Sequence, residues 1–433
     1  MDNTTKYLVE TWQPPGLLSQ ATQIIKDATL RQILSYVLVG LIAYPTIVSL
    51  LRFRRLKKLH EKYHYPTRES MAKMTDNEAW EIQKAVSELE FPFMYIKALQ
   101  FALFRTYGIP TISSLLAGTG QFSNPRHSLK RYVDTSVLIG EFVAYAPTSD
   151  RSQSAIARVN FLHSGYRSTG KILEDDMLYT LSLFALEPIR FIDTYEWRKL
   201  SELEQCALGT YWKSLGDAMQ ISYAALPSYK TGFRDGLHWL EEMDVWRKAY
   251  EKEKMVPNAK NKYTADQTTA ILVYMLPSKL KHVGYNFVSF MMDDRLRRAM
   301  MYEPPAALYA NVFSAALALR KFFLRYLALP RPYFLRAAKF SEHQNEYGRF
   351  FTTEWDAAPY YVKPTFWNRW GPTAWLTWVL GLPLPGDEGD KYYPQGYHIP
   401  DVGPKYQEGK GREYLEVTRD RLHKERTGKC PFH

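Results

Sequence analysis

Glu141, Arg158 and His163 are the residues of this chain whose types and spacing best suit chemistry. They fall on two successive predicted helices, Tyr132 to Tyr145 and Ser152 to Tyr166. On the first, Glu141 shares a face with Val137, Leu138 and Tyr145, which puts a carboxylate on an apolar stripe. A charge there is costly unless it is paired or used in a reaction. On the second, His163 shares a face with Ile156, Val159, Asn160 and Tyr166. Arg158 lies about 140° round the same cylinder, from five steps of roughly 100°. An inward imidazole can ligate a haem iron, and a nearby guanidinium can hold a propionate or a bound oxygen species. Glu141 and Arg158 are therefore the candidate catalytic pair, with Arg158 also a candidate cofactor contact and His163 the candidate iron ligand. The plainer assignment is a core histidine and a structural Glu141–Arg158 ion pair, and spacing alone favours it.

Other signatures fit less well. His60-Glu61-Lys62-Tyr63-His64 matches the zinc-protease pattern, but Tyr65-Pro66 ends any helix there and no third ligand follows. Neither Cys206 nor Cys430 sits in the glycine-rich loop a cytochrome P450 thiolate needs. The chain has one histidine pair, where a membrane di-iron desaturase needs several histidine boxes. Dinucleotide, P-loop and nucleophile-elbow patterns are missing from the sequence.

The elements that must position these residues are helical. Residues 33–51 form an uncharged apolar run followed by Arg52, Arg54, Arg55, Lys57 and Lys58. As a helix the run is roughly 28 Å long, enough to span a bilayer once. Basic residues crowd its C-terminal end, which places the N-terminus in the lumen and the large domain in the cytosol. Asn3-Thr4-Thr5 then offers a lumenal glycosylation acceptor. The expected organisation is a lumenal segment 1–32, a transmembrane helix 33–51, a basic stalk 52–68, a helical core 69–329 and a wrap 330–433. Thr75 to Glu78 reads as a capping box. Further helices are predicted over 175–191, 200–219, 236–252, 264–276 and 305–327. No run of alternating strands appears, so the fold class is all-α.

From Pro330 prolines and aromatics thicken into what reads as an irregular wrap. Within it Trp367, Trp370, Trp375 and Trp378 surround an apolar stretch suited to a lipid interface or to a tryptophan-rich core contact. The formal net charge of +11 is spread along the chain and densest beside the apolar run, which favours membrane lipid over nucleic acid as partner. Two cysteines are too few for a disulfide framework, consistent with a cytosol-facing domain.

The stretches YPTRESMAKMT, LEFPFMYIKALQFALFRTYGIPTIS, RVNFLHSGY, TGFRDG, KPTFWNRWGP, KYYPQGYHI and RTGKCPFH closely resemble the MpaB-type endoplasmic-reticulum-bound fungal oxygenases of the mycophenolic acid pathway. These are related to the latex clearing proteins, or rubber oxygenases. The resemblance runs from about His60 to the C-terminus; to rubber oxygenases it is confined to the helical core. It implies a globin-like core around haem b, and cleavage by dioxygen of a carbon–carbon double bond in the prenyl, farnesyl-type chain of an aromatic metabolite. It also implies an endoplasmic-reticulum location. Glu141 and Arg158 fall where the family's base and oxygen-stabilising arginine are expected. Phe161 and Leu162 stand where rubber oxygenases carry a lysine and a threonine. The family's proximal histidine position falls at Leu181, and no histidine lies between His163 and His238. Ligation then passes to His163, with His238 and His282 as alternates. The change at Leu181 also keeps open a non-catalytic membrane scaffold that binds a hydrophobic metabolite or partner enzyme.

Overall fold

The computed structural model describes residues 29–121 and 125–432, without the side chains of Pro125 and Arg126. The glycosylation triplet and nearly all of the expected lumenal segment lie outside them. Among the described residues the fold is all-α, with isolated β-bridges but no strand.

The helices are α1 (Leu30–Lys62), α2 (Arg68–Met71), α3 (Asp76–Ala85), α4 (Pro92–Thr106), α5 (Pro110–Gly118), α6 (Pro125–Ala144), α7 (Asp150–Ser168), α8 (Glu174–Tyr195) and α9 (Glu202–Ala218). They continue as α10 (Gly236–Lys254), α11 (Ala259–Leu272), α12 (Lys281–Met291), α13 (Asp294–Ala299), α14 (Ala307–Tyr326), α15 (Phe366–Trp370), α16 (Pro372–Val379) and α17 (Arg412–Glu425). Many starts are written locally. Thr29–Gln32, Thr75–Glu78 and Ser201–Glu204 form capping boxes, and Pro92 and Pro110 open α4 and α5.

The core is assembled around α9, which packs between α3 and α10, and α8, which packs along α4. Trp212 and Trp239 are fully buried there. The α9–α10 crossing requires glycine: a Cβ on Gly209 would meet the Gly236 carbonyl oxygen at 2.2 Å. α6 and α7 pair beside this core, and α17 lies on α7.

Two expected boundaries move. α1 runs unbroken from Leu30 through Pro45 to Lys62, so most of the expected stalk is a continuation of the apolar helix. Pro45 removes one backbone donor, which a long helix tolerates where it is otherwise continuous. The wrap is less irregular than its composition suggests, because it ends in the regular helix α17 with Leu415 and Leu422 buried. Among the described residues two helices, α1 and α14, are long and apolar enough to cross a membrane, and the apolar window of each is almost wholly uncovered by protein.

Candidate active site

α4 to α9, joined by α11 and the wrap, enclose a cavity of about 610 Å³. That volume is in the range of small-molecule and cofactor sites. Most of its wall is aliphatic or aromatic, including Leu99 and Leu103 of α4, Leu181 and Phe184 of α8, and Trp212 of α9, whose indole stacks on Phe184 at 5.2 Å.

His163 lies on this wall, one step from Leu162 and one turn from Val159 and Tyr166, which also line it. Burial, then the positive charges of Arg131 and Arg167, push the imidazole down to about 4. It is therefore neutral at neutral pH, with a lone pair for a metal or a proton. Arg131, on α6, is the nearby cation that also lines the cavity. Burial pushes its guanidinium down from its ordinary value, with Tyr107, Tyr166 and Tyr406 pulling the other way. It remains charged. Sequence reading passed over Arg131, because a single arginine within LKRYVD carries no local signal of where it will point.

The structure separates Glu141 and Arg158 from His163. Neither is among the described residues that line the cavity. Glu141 is fully buried, but both carboxylate oxygens are taken: Arg151 donates from Nε at 2.8 Å and from a terminal nitrogen at 2.5 Å, and the Tyr397 hydroxyl donates to Oε1. The Arg151 guanidinium lies 3.7 Å from the Tyr145 ring centroid and 3.6 Å from that of Phe350, and donates to the Ser341 carbonyl at 2.7 Å. The expected Glu141–Arg158 pair is thus replaced by Glu141–Arg151.

Arg158, also fully buried, donates to three wrap carbonyls: Val402 at 2.8 Å, Gln407 at 3.0 Å and Lys410 at 3.2 Å. The wrap can come this close because residue 403 is glycine, at φ +129°, where an added Cβ would stand 3.2 Å from Leu162. The Gly403 carbonyl accepts from Lys130, whose ammonium also holds Asp134 at 2.7 Å. Arg158 therefore ties down the segment 402–410, from which Gly403 and Tyr406 close one side of the cavity.

The alternate histidines stand elsewhere. His238, on α10, accepts from the Arg234 backbone N–H and faces Glu242 at 3.1 Å. His282 is exposed against Tyr309. Neither is among the described residues lining the cavity. Leu181 does line it, so the position where the family resemblance expects a histidine faces the same space as His163. His60 and His64 are split by the end of α1, whose C-cap is the extended Tyr63, so they do not share a helical turn. Among the described residues, no three histidine, cysteine or acidic side chains cluster to hold a bare metal ion.

The neutral imidazole of His163 in a roomy apolar cavity, with a second histidine, His127 of α6, and a cation on the same wall, is a donor set that suits a porphyrin. Arg131 and Lys130 are the residues present to meet its carboxylates.

Residues 92–321 match the family described as ER-bound oxygenase mpaB/B'/Rubber oxygenase, catalytic domain. The chain belongs to this family and is an oxygenase by that membership. It is similar to the ER-bound oxygenase mpaB' of Penicillium brevicompactum, at 57% identity over 92% of this chain and 94% of that protein. It is also similar to the ER-bound oxygenase mpaB of the same fungus, at 52% over 84% of this chain and 87% of that protein. With mpaB of Penicillium roqueforti it shares 61% identity over 63% of this chain and 92% of the relative.

Proposed function

We propose that this chain is a membrane-anchored oxygenase of the endoplasmic reticulum that uses haem b and dioxygen to cleave a carbon–carbon double bond in the prenyl, farnesyl-type side chain of an aromatic secondary metabolite. The observation that carries the reading is His163, neutral and half-buried, on the wall of a large apolar cavity. His163 would hold the iron, while Arg131 and Lys130 would meet the haem carboxylates. Bound there, haem supplies a redox-active iron for dioxygen chemistry.

The chain's own residues do the rest. The aromatic wall excludes water and orders an apolar chain. Arg131 places fixed positive charge where negative charge develops. Glu141 and Arg158 act by position, the first joining α6 to α7 and Tyr397, the second fixing the wrap segment over the cavity. α1 would cross the bilayer once with the catalytic body on the cytosolic side, and Trp367 to Leu382 would touch the lipid surface. Trp367, Trp370, Trp375 and Trp378 are all exposed, which supports that placement.

Detergent-purified protein supplied with haem tests the reading. A Soret band at about one haem per chain is expected, with product from a prenylated aromatic carrying oxygen from labelled dioxygen. A colourless, inactive preparation would overturn it and leave the scaffold that Leu181 suggests.

A further inference from the structure

α14 is built inside out for a protein surrounded by water. Its three charged residues turn towards the body. Arg320 reaches Glu196 at 2.7 Å and the Tyr195 carbonyl, Lys321 donates to the Thr194 carbonyl at 3.0 Å, and Arg325 donates to the Trp197 carbonyl at 3.3 Å. All four acceptors lie at the C-terminal end of α8 or just after it. The opposite stripe, Leu308, Val312, Leu319, Phe322 and Phe323, follows i, i+3, i+4 spacing and is exposed, Leu308 and Leu319 at 71% and 68%. In water such a face would be turned inward.

The helix is held to the body along its whole length. Tyr309 and Phe313 near its start pack on His282, Phe287 and Phe290 of α12. Arg320 to Arg325 grip the end of α8, and its C-terminus meets α1. A helix attached this way has no freedom to thread through a bilayer.

Its depth can be read against α1. The Tyr44 hydroxyl donates to the Leu327 carbonyl at 2.9 Å, and Arg52 donates to the Ala328 carbonyl at 2.9 Å. Tyr44 lies seven residues before Leu51, the last residue of the apolar run, which is about 10 Å along a helix axis. The end of α14 is therefore level with the outer part of the segment read as membrane-embedded. That matches the ~5–10 Å to which an in-plane amphipathic helix sinks at the headgroup–acyl boundary. A further exposed apolar group, Tyr333 to Leu335, begins two residues after Arg331, whose carbonyl accepts from Arg55 of α1.

We infer that α14 is a second membrane contact, an in-plane helix whose Leu308–Phe323 stripe is embedded in the lipid leaflet on the side of the catalytic body. The inference rests on the reading of α1 as the transmembrane anchor, since α1 provides the ruler.

The test is spin-label accessibility on the full chain in phosphatidylcholine vesicles, in a Cys430→Ser background, Cys206 being buried. Labels are placed by Val312→Cys, Leu319→Cys and Phe323→Cys, with Val37→Cys reporting the anchor and the exposed Val417→Cys of α17 reporting water. The expected result is oxygen collision several-fold above that of a water-soluble nickel complex at all three α14 sites, at depths within about 5 Å of one another. Depths that spread by about 17 Å from Val312 to Phe323 would mean that α14 spans, and would overturn the inference. Water-like accessibility at the three sites, or accessibility to neither probe, would overturn it too. Val37 separates the two readings: deep there with α14 aqueous sinks this inference alone, whereas water at Val37 sinks the anchor as well.

Discussion

Two neighbouring regions of the same helix pair handle charge in opposite ways. Around Glu141 every polar atom is answered: carboxylate by Arg151 and Tyr397, guanidinium by ring faces and a carbonyl. Around His163 the wall is apolar and open to about 610 Å³ of space, with Arg131 beside it. The first arrangement holds helices and wrap together. The second leaves chemical capacity facing a space large enough to use it. A buried charge is thus a poor marker of a reacting group unless it also faces somewhere a ligand can go.

The sharpest way to break the contrast is His163→Ala. Loss of the Soret band and at least a hundredfold fall in turnover are expected, with the thermal midpoint of haem-free protein moving little. An unchanged spectrum would move ligation away from His163, to His127 on the same wall or out of the cavity.

Arg158→Ala should act through the fold. It strips three wrap carbonyls of a fully buried donor, so a loss of about 3–5 kcal/mol in denaturant unfolding is expected, with early proteolysis within 402–410. Glu141→Gln should cost about 2–3 kcal/mol, because Arg151 keeps its charge but loses its anion. Turnover of the folded fraction should stay within about threefold of the parent. A hundredfold loss at unchanged stability, with a displaced acid limb of the pH–rate profile, would return Glu141 to the chemistry.

Acid sensitivity comes from a third polar cluster. Burial pushes the Glu251 carboxyl up, but bidentate hydrogen bonds from Arg105 at 2.8 Å, with the charges of Arg105 and Arg247, bring it below its ordinary value. Asp293 is lowered likewise, against burial, by Arg105 and the Leu296 N–H. Groups with depressed folded values stabilise fully above their unfolded values, near pH 4, and lose that contribution as pH falls through the folded ones. The contribution of this cluster to the unfolding free energy, read as the difference between the parent and Arg105→Ala, should therefore be flat from pH 7 to about 5 and fall below about 4. Arg105→Lys should soften that fall. The smallest effect expected is from His238→Ala and His282→Ala, which should leave any haem spectrum as it is.

What could be read from the sequence follows the range of the forces involved. The Thr75–Glu78 capping box and most core helices rest on local sequence, and the structure has them close to the expected limits, whereas the helix of the apolar run continues to Lys62. α17 was hidden because prolines and aromatics dominate the stretch before it. The 140° between Arg158 and His163 was legible, and it is what sends one to the wrap and the other to the cavity. Which arginine would meet Glu141 was not, since Arg151 finds it only through the α6–α7 turn. Arg131 gave no local sign because its surroundings, Tyr107, Tyr166 and Tyr406, are assembled from distant parts of the chain.

α1 is one uninterrupted rod of 33 residues, gripped by the body from Tyr44 through Arg52 and Arg55. A catalytic domain mounted so stiffly cannot swivel on its tether. With α1 in a bilayer as proposed, its encounters with a water-insoluble molecule would become a two-dimensional search, paced by sideways drift in the plane of the membrane.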